Sequence, residues 1–412
     1  MTRSELLSLF GKNISDFRVV YPNGGVYSAE RYARLFTSEL SSSSGCVLEV
    51  GDDKKAEDGD LIVFGNTKFG GSDVAARHGY EIKAEGGKLY INAECMVGWD
   101  AALEYLTGKM FASGDVDIAE GFTASGAGTP DGDGKYFDQK TGEYRVIFNN
   151  ILGNCDTSLY PTPTRNQMAA ELHLEFSPDV IALQECSANS RGASSYIKTL
   201  NEHGYAEVIV KVTNSTGNNS TPLLYRTDVL DIVDSGYHLY DDGAGDNSKS
   251  ITWAVFKDKK GTDTFAVFST HFYYTSDDKG NAARIIDAKE ITDLAAQVSS
   301  KYGCAVIAGG DLNCALSSQP YQNLLKGGWT DAQKVAAVTE NLKSWHSYPE
   351  YNKELKLYDT MTLPTGEYSG AIDHCILYNP STVKVNLFNI VTEEYALLSA
   401  DHCPVLVDFT IN

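Results

Sequence analysis

The chain has 412 residues, 42% hydrophobic and 22% charged, an ordinary composition for a folded protein and a length that calls for two domains. Its formal net charge of -21 argues against a broad basic face for nucleic acid, so no stable nucleic-acid partner is expected. The same charge leaves room for a small positive pocket, or for a cation that bridges to phosphate.

In chain order, residues 17–22 read as a strand. Residues 27–40 follow as a helix with Tyr32, Ala33, Leu35, Phe36 and Leu40 at helical spacing, closed by a serine run and Gly45. Residues 46–50 and 60–64 are further strands, 80–92 a hairpin turning at Gly86-Gly87, and 99–111 a helix. This predicts a small α/β domain over 1–113. A Gly/Asp/Pro-rich linker is expected over 114–143. Within it, Asp131-Gly132-Asp133-Gly134 resembles the opening of a calcium loop but lacks the later acidic ligand.

From residue 144 onward strands alternate with helices and longer loops. Residues 165–176 are predicted as a helix stopping at Pro178. Residues 282–302 form a second helix with Ile285, Ile286, Ala288, Ile291, Leu294 and Val298 on its apolar side and Gly303 at its end. Residues 251–256 and 265–270 read as a hairpin pair. The mixture predicts an α/β fold of stacked sheets with helices outside, over 144–412.

No apolar stretch is long enough to cross a membrane. The first residues lack the apolar core and cleavage site of an export leader. Cytoplasmic location, or secretion with a leader absent from this sequence, is the corresponding expectation. The eight cysteines form no CxxC pair, so a zinc site is not expected. Cys186, Cys314 and Cys403 adjoin the motifs below, but no Cys–His spacing marks a nucleophile.

Six apolar runs end in a carboxylate, an amide or a histidine. They are Val146-Ile147-Phe148-Asn149-Asn150, Asp179-Val180-Ile181-Ala182-Leu183-Gln184-Glu185, Phe265-Ala266-Val267-Phe268-Ser269-Thr270-His271, Ala305-Val306-Ile307-Ala308-Gly309-Gly310-Asp311-Leu312-Asn313, Ala371-Ile372-Asp373-His374 and Ser399-Ala400-Asp401-His402. An apolar run of this length is a buried-strand signal, and its polar end falls at the sheet rim. Carboxylates gathered there suit a hard divalent cation, Mg²⁺ or in its place Mn²⁺ or Ca²⁺. Two histidines supply donors whose pKa can be set near neutrality. Phosphoester hydrolysis needs this set: a cation on the non-bridging oxygens, an in-line water and an acid for the leaving oxygen.

Taken together and in this order, the clusters resemble the endonuclease/exonuclease/phosphatase superfamily over about residues 144–412. That group includes pancreatic-type deoxyribonucleases, abasic-site endonucleases, bacterial sphingomyelinases and inositol-polyphosphate 5-phosphatases. The resemblance implies a four-layer sandwich of two mainly antiparallel sheets flanked by helices. It implies that Asn150, Glu185 and Asp401 hold or adjoin the metal, with Glu185 the principal carboxylate. His271 contacts the scissile phosphate, Asp311 and Asn313 serve a reacting oxygen and the phosphoryl group, and Asp373 orients His402. Asn149 rivals Asn150 for its role. Arg284 and His374 are expected to be structural. Many nuclease members carry an arginine before the strand leading to Thr-His, where this chain offers Lys249. Phe272-Tyr273-Tyr274 after His271 are expected to pack within their loop.

The function so implied is a metal-dependent phosphodiesterase acting on a small phosphodiester, nucleic acid or phospholipid headgroup. The alternatives are a phosphomonoesterase on sugar or inositol phosphates and an inactive ligand-binding module. The N-terminal domain faintly resembles accessory domains that precede catalytic domains in some bacterial glycoside hydrolases, and no motif there carries chemistry.

Overall fold

The runs richest in β-branched and aliphatic residues become the central strands, because only there are both faces covered. The computed structural model describes residues 7–23, 27–72, 74–76, 78–112, 116–128, 139–153, 160–191, 196–346, 350–352, 357–360 and 363–412. The chain divides into one unit of Met1–Tyr136 with Asn352–Leu357 and another of Phe137–Tyr351 with Tyr358–Asn412.

In the first unit a six-stranded sheet runs in the order Val50–Asp52, Arg18–Tyr21, Leu61–Phe64, Lys88–Ala93, Gly79–Glu85, Thr123–Ala127. The first four strands are parallel and the last two pair antiparallel. Helices Tyr27–Ser44 and Met96–Ala112 supply Tyr32, Phe36, Leu40, Trp99 and Leu106 to a core with Val19, Ile62, Phe64, Ile82 and Leu89. The expected linker over 114–143 is corrected in its first half. Val116–Ile118 pairs with Leu7–Leu9, and Thr123–Ala127 forms the sheet edge against Gly79–Glu85. Thr123–Ala127 lies at an edge with its side chains mostly exposed, so it carries no apolar alternation to announce a strand. Asp131-Gly132-Asp133-Gly134 lies outside the described residues.

The second unit holds two mixed sheets. One has seven strands in the order Tyr205–Glu207, Leu223–Arg226, Val180–Gln184, Tyr144–Asn150, Val405–Ile411, Val383–Ile390, Val338–Thr339. The other has six, in the order Leu230–Leu239, Ser250–Asp258, Thr264–His271, Val306–Asp311, Asp373–Tyr378, Trp329–Asp331. Most neighbours are antiparallel. The two central pairs, Tyr144–Asn150 with Val180–Gln184 and Thr264–His271 with Val306–Asp311, are parallel. The sheets face each other through Phe265 against Phe409 and through Gln184 Nε2 donating to Ser269 Oγ at 3.0 Å. Helix Asp278–Tyr302 packs outside the six-stranded sheet and Thr162–Phe176 outside the other. The result is the expected layering of helices, two sheets and helices.

Helix Asp278–Tyr302 starts at Asp277, whose side chain caps Gly280 N–H, and ends at Gly303. Its buried stripe is Arg284, Asp287, Ala288, Ile291, Ala295 and Val298. Ile286 lies off that stripe and is exposed, which corrects its expected place on the apolar side. Arg284 and Asp287 take its place in the stripe because they serve the loop beyond His271. Among the described residues no helix is long and apolar enough to cross a membrane.

Candidate active site

Strand register assembles the site. His271 is the cross-strand partner of Asp311, and Asp311 is the partner of Asp373. Three motif ends from three neighbouring strands therefore occupy one row. On the facing sheet Asn150 partners Gln184, which puts Glu185 one residue beyond the same rim. Glu185 and Asn313 have positive φ values of 56° and 50°. Such conformations are uncommon for residues other than glycine and cluster at functional sites. Gly310 is required where it stands: its φ is 127°, and a Cβ there would meet Thr270 O at 2.3 Å and Gln184 Nε2 at 2.5 Å. The sheets close on each other at this point, directly behind Asp311.

Asn150 links the two sheets. Its Nδ2 donates to Glu185 Oε1 and to Asp311 Oδ2, both at 3.2 Å, while its oxygen accepts from Leu152 N at 3.1 Å. It thus turns its nitrogen, not its oxygen, toward the carboxylates. Asn149 points the other way, its amide on the carbonyls of Asn150 and His402. Buried Arg165 fixes the chain beyond Asn150, donating to the carbonyls of Ile151, Leu152, Tyr160 and Ser399 at 2.7–3.3 Å. Arg165 therefore positions two motifs, Asn150 and the run ending in Asp401-His402. No spacing in the sequence marked it.

His402 Nδ1 lies 2.8 Å from Asp373 Oδ2, the expected pairing. That oxygen also accepts from the Ser344 hydroxyl. The segment around Ser344 is strapped to the His402 segment by Cys403 N to Ser344 O at 2.7 Å and His346 N to Asp401 O at 2.9 Å. Asp401 Oδ1 is 3.9 Å from His402 Nε2. Ser344 had no sequence signal, since it follows no apolar run. Burial opposes the charged form of His402, but the charge and hydrogen bond of Asp373, with Asp311 and Asp401, raise its pKa well above the ordinary imidazole value.

Lys249 is a third residue that the sequence did not mark for its role. It is buried, with Nζ 2.7 Å from His271 Nε2. The same imidazole nitrogen lies 3.3 Å from Asp311 Oδ2. Burial lowers the Lys249 pKa, against the opposing charges of Asp311, Glu185, Asp246 and Asp287. For Asp311, burial again opposes charge, and the hydrogen bond and charge of His271, with His402 and Lys249, outweigh it. Its carboxyl is held well below the usual range. Asn313 donates from Nδ2 to Phe272 O at 3.1 Å, and its backbone N–H reaches Asp311 Oδ1 at 2.9 Å.

The ligand atoms of Asp311, Asp373 and His402 gather within 4.8 Å of one another. Asp373 Oδ2 is already committed to Ser344 and His402, so Asp311 with Glu185, tied by the Asn150 amide, are the carboxylates best suited to a hard cation. The neighbouring thiols take no part. Burial pushes Cys186 and Cys314 up to about 12 and Cys403 well above its ordinary value, so none is a thiolate nucleophile at neutral pH. His374 is structural as expected, with Nε2 2.8 Å from Cys314 O and Nδ1 3.1 Å from Tyr368 OH. Arg284 is too, donating to Tyr273 O and Thr275 O.

A sequence model of the Endonuclease/Exonuclease/phosphatase family matches residues 150–402, and the chain belongs to that family. A solved structure of a mannosyl-6-phosphatase from Bacteroides thetaiotaomicron superposes with a TM-score of 0.50 at 18% identity, covering 65% of this chain and 99% of that one. An endonuclease/exonuclease/phosphatase family protein from the same organism gives 0.49 at 19% identity, covering 66% and 95%. The human Nocturnin catalytic domain with bound sulfate gives 0.49 at 14%, covering 65% and 94%. No curated protein matches the chain. The family is one of hydrolytic phosphoesterases, generally dependent on a divalent metal, and the acidic and histidine cluster at the sheet rims is the candidate place for that metal.

Proposed function

We propose that this chain hydrolyses phosphodiesters in the presence of a divalent cation, Mg²⁺ or in its place Mn²⁺ or Ca²⁺. The observation that carries the reading is the joined set of His271, Asp311 and Asp373 on one register row, His402 on Asp373, and Asn150 tying Glu185 to Asp311. The donors fit a cation, since Glu185 and Asp311 present hard oxygens across one amide, with Asp401 nearby. Bound there, the cation would neutralise the non-bridging oxygens and make the phosphorus more electrophilic.

The chain's own groups supply the rest. Asp373 fixes the tautomer and orientation of His402 and leaves Nε2 to exchange a proton with the attacking water or the departing oxygen. His271 and Lys249 present two nitrogen groups to the phosphoryl oxygens, which is electrostatic stabilisation by preplaced donors. Asp311, kept ionised, holds His271 in place and accepts from the Asn150 amide. Asn313 borders the same pocket.

One feature favours a second reading, a phosphomonoesterase on sugar or inositol phosphates. Lys249, against His271, adds a second buried cationic group to that of His402, and a terminal phosphate carries more charge to meet it. The test is hydrolysis of bis-p-nitrophenyl phosphate beside p-nitrophenyl phosphate, first in EDTA and then with added Mg²⁺, Mn²⁺ or Ca²⁺. Cation-dependent preference for the diester is expected. Preference for the monoester selects the second reading, and full rates in EDTA overturn the metal dependence of both. Turnover of neither, with ligand binding retained, identifies a binding module.

A further inference from the structure

Among the residues whose side chains are described, the exposed large aromatic ones are Tyr274 and Trp345, at 60% and 40% exposure, and both adjoin the candidate site. The loop-packing expectation holds for Phe272 and Tyr273, which are 0% and 8% exposed, but not for Tyr274. Single exposed apolar residues need no explanation on a protein surface. Two features set these apart.

The first is position. Lys249 Nζ, 2.7 Å from His271, lies 5.4 Å from the centre of the Tyr274 ring. Trp345 pairs through its backbone with His402, and its Nε1 donates to Gly370 O at 3.3 Å, just before Asp373. One ring therefore belongs to the His271 end of the site and the other to the His402 end.

The second is that both rings stand on backbone that buried groups clamp. Around Tyr274, Asp287 accepts from Tyr273 N at 3.1 Å and Arg284 donates to the carbonyls of Tyr273 and Thr275 at 2.8 and 2.7 Å. The Tyr273 ring, 5.2 Å away, supports the Tyr274 ring. Around Trp345, the flanking residues Ser344 and His346 bond to Cys403 and Asp401. Lys343 Nζ sits 3.5 Å from the Trp345 ring centre. Exposed rings held this way bind at little ordering cost. A cation beside each is also suited to a ligand that carries an anion.

We propose that Tyr274 and Trp345 are stacking platforms for the alcohol portion of the phosphate ester, which makes the substrate an ester of a ring-bearing alcohol, a pyranose or a nucleoside, rather than of an open-chain one. The inference rests on the phosphoesterase reading of the site. Both ring types offer what the platforms recognise, a flat face with apolar surface beside a phosphate.

The test is calorimetric binding, in Mg²⁺, of the non-hydrolysable methylenephosphonate analogues of glucose 6-phosphate, thymidine 5′-phosphate and glycerol 3-phosphate. Proteins compared are the wild type, Tyr274→Ala, Trp345→Ala and the conservative Tyr274→Phe and Trp345→Phe. At least one ringed analogue is expected to bind about tenfold tighter than the glycerol analogue. The alanine variants should erase that advantage without changing glycerol-analogue affinity, and the phenylalanine variants should keep most of it. Tighter binding of the glucose analogue identifies a sugar phosphate, and of the thymidine analogue a nucleotide. Equal affinity of all three for the wild type, or alanine variants that weaken all three alike, overturns the platforms. If that result comes with cation-dependent ester hydrolysis, the phosphoesterase reading stands without them. Absence of both binding and hydrolysis removes both.

Discussion

His271, Asp311 and Asp373 stand on one register row of a sheet, whereas Ser344, Asp401 and His402 reach the same place from loops. The row is fixed by ladder hydrogen bonds on both sides of Asp311, so the spacing of its members follows from pairing alone. The loop members depend on a few polar contacts: the hydroxyl of Ser344 on Asp373, two backbone bonds between the segments, and Arg165 on Ser399. Substitution on the row should therefore change chemistry and spare geometry. Substitution among the loop contacts should change geometry first.

The largest effect is expected on the row. Asp311→Asn keeps the shape but removes the charge that faces His271, Lys249 and the Asn150 amide. A fall in kcat of about a hundredfold to ten-thousandfold is expected, with far-UV circular dichroism unchanged. A variant that retained most of its turnover would show that the row is scaffold and that the chemistry lies elsewhere.

Next comes the pair that joins row to loop. Asp373→Ala and His402→Ala should each lower kcat strongly, and the double variant little further, because one residue acts through the other. A double-mutant cycle of steady-state rates measures this. Multiplicative losses would mean that the 2.8 Å contact between them does not couple their functions.

The same division explains what was legible in the sequence. His271 and Asp311 could be read because each ends an apolar run that forms an inner strand, whereas Asp373 opens its strand, Asp373–Tyr378, rather than ending one. Glu185 and Asn150 were legible for the same reason as His271 and Asp311. Arg165, Ser344 and Lys249 were not. Arg165 works on backbone carbonyls, which leave no trace in residue type. Ser344 lies in a loop between unrelated segments. Lys249 could be placed beside His271 only once the antiparallel pairing of Ser250–Asp258 with Thr264–His271 was known. The helix stripe failed at Ile286 because buried Arg284 and Asp287 displaced apolar residues from the inward face, and their partners are again backbone groups.

A smaller effect is expected at the loop contact itself. Ser344→Ala removes a donor from the Asp373 carboxylate, leaving more negative charge to stabilise the His402 imidazolium. The His402 pKa should rise further, and the limb of the rate profile that requires neutral His402 should move to higher pH. At neutral pH the loss should be about tenfold or less, the scale of one hydrogen bond to a charged group. A lower plateau with an unshifted limb would make Ser344 a packing residue.

The smallest effect concerns the clamp behind Tyr274, and it is read in stability. Asp287 is fully buried, and burial, with the charges of Asp242 and Glu290, raises its pKa to about 8 despite the hydrogen bond from Tyr273 and the charge of Lys249. An unfolded aspartate titrates near ~4. The protonated form therefore lends stability that is fully present below about pH 4 and lost as the pH rises through about 8. Asp287→Asn keeps a neutral acceptor for Tyr273 N–H at every pH. Its melting temperature should match the wild type below about pH 4 and exceed it increasingly from there to pH about 8. Parallel melting curves across that range would show that Asp287 is ionised in the folded chain, and that Tyr273 is clamped by a carboxylate whose charge is met within the site.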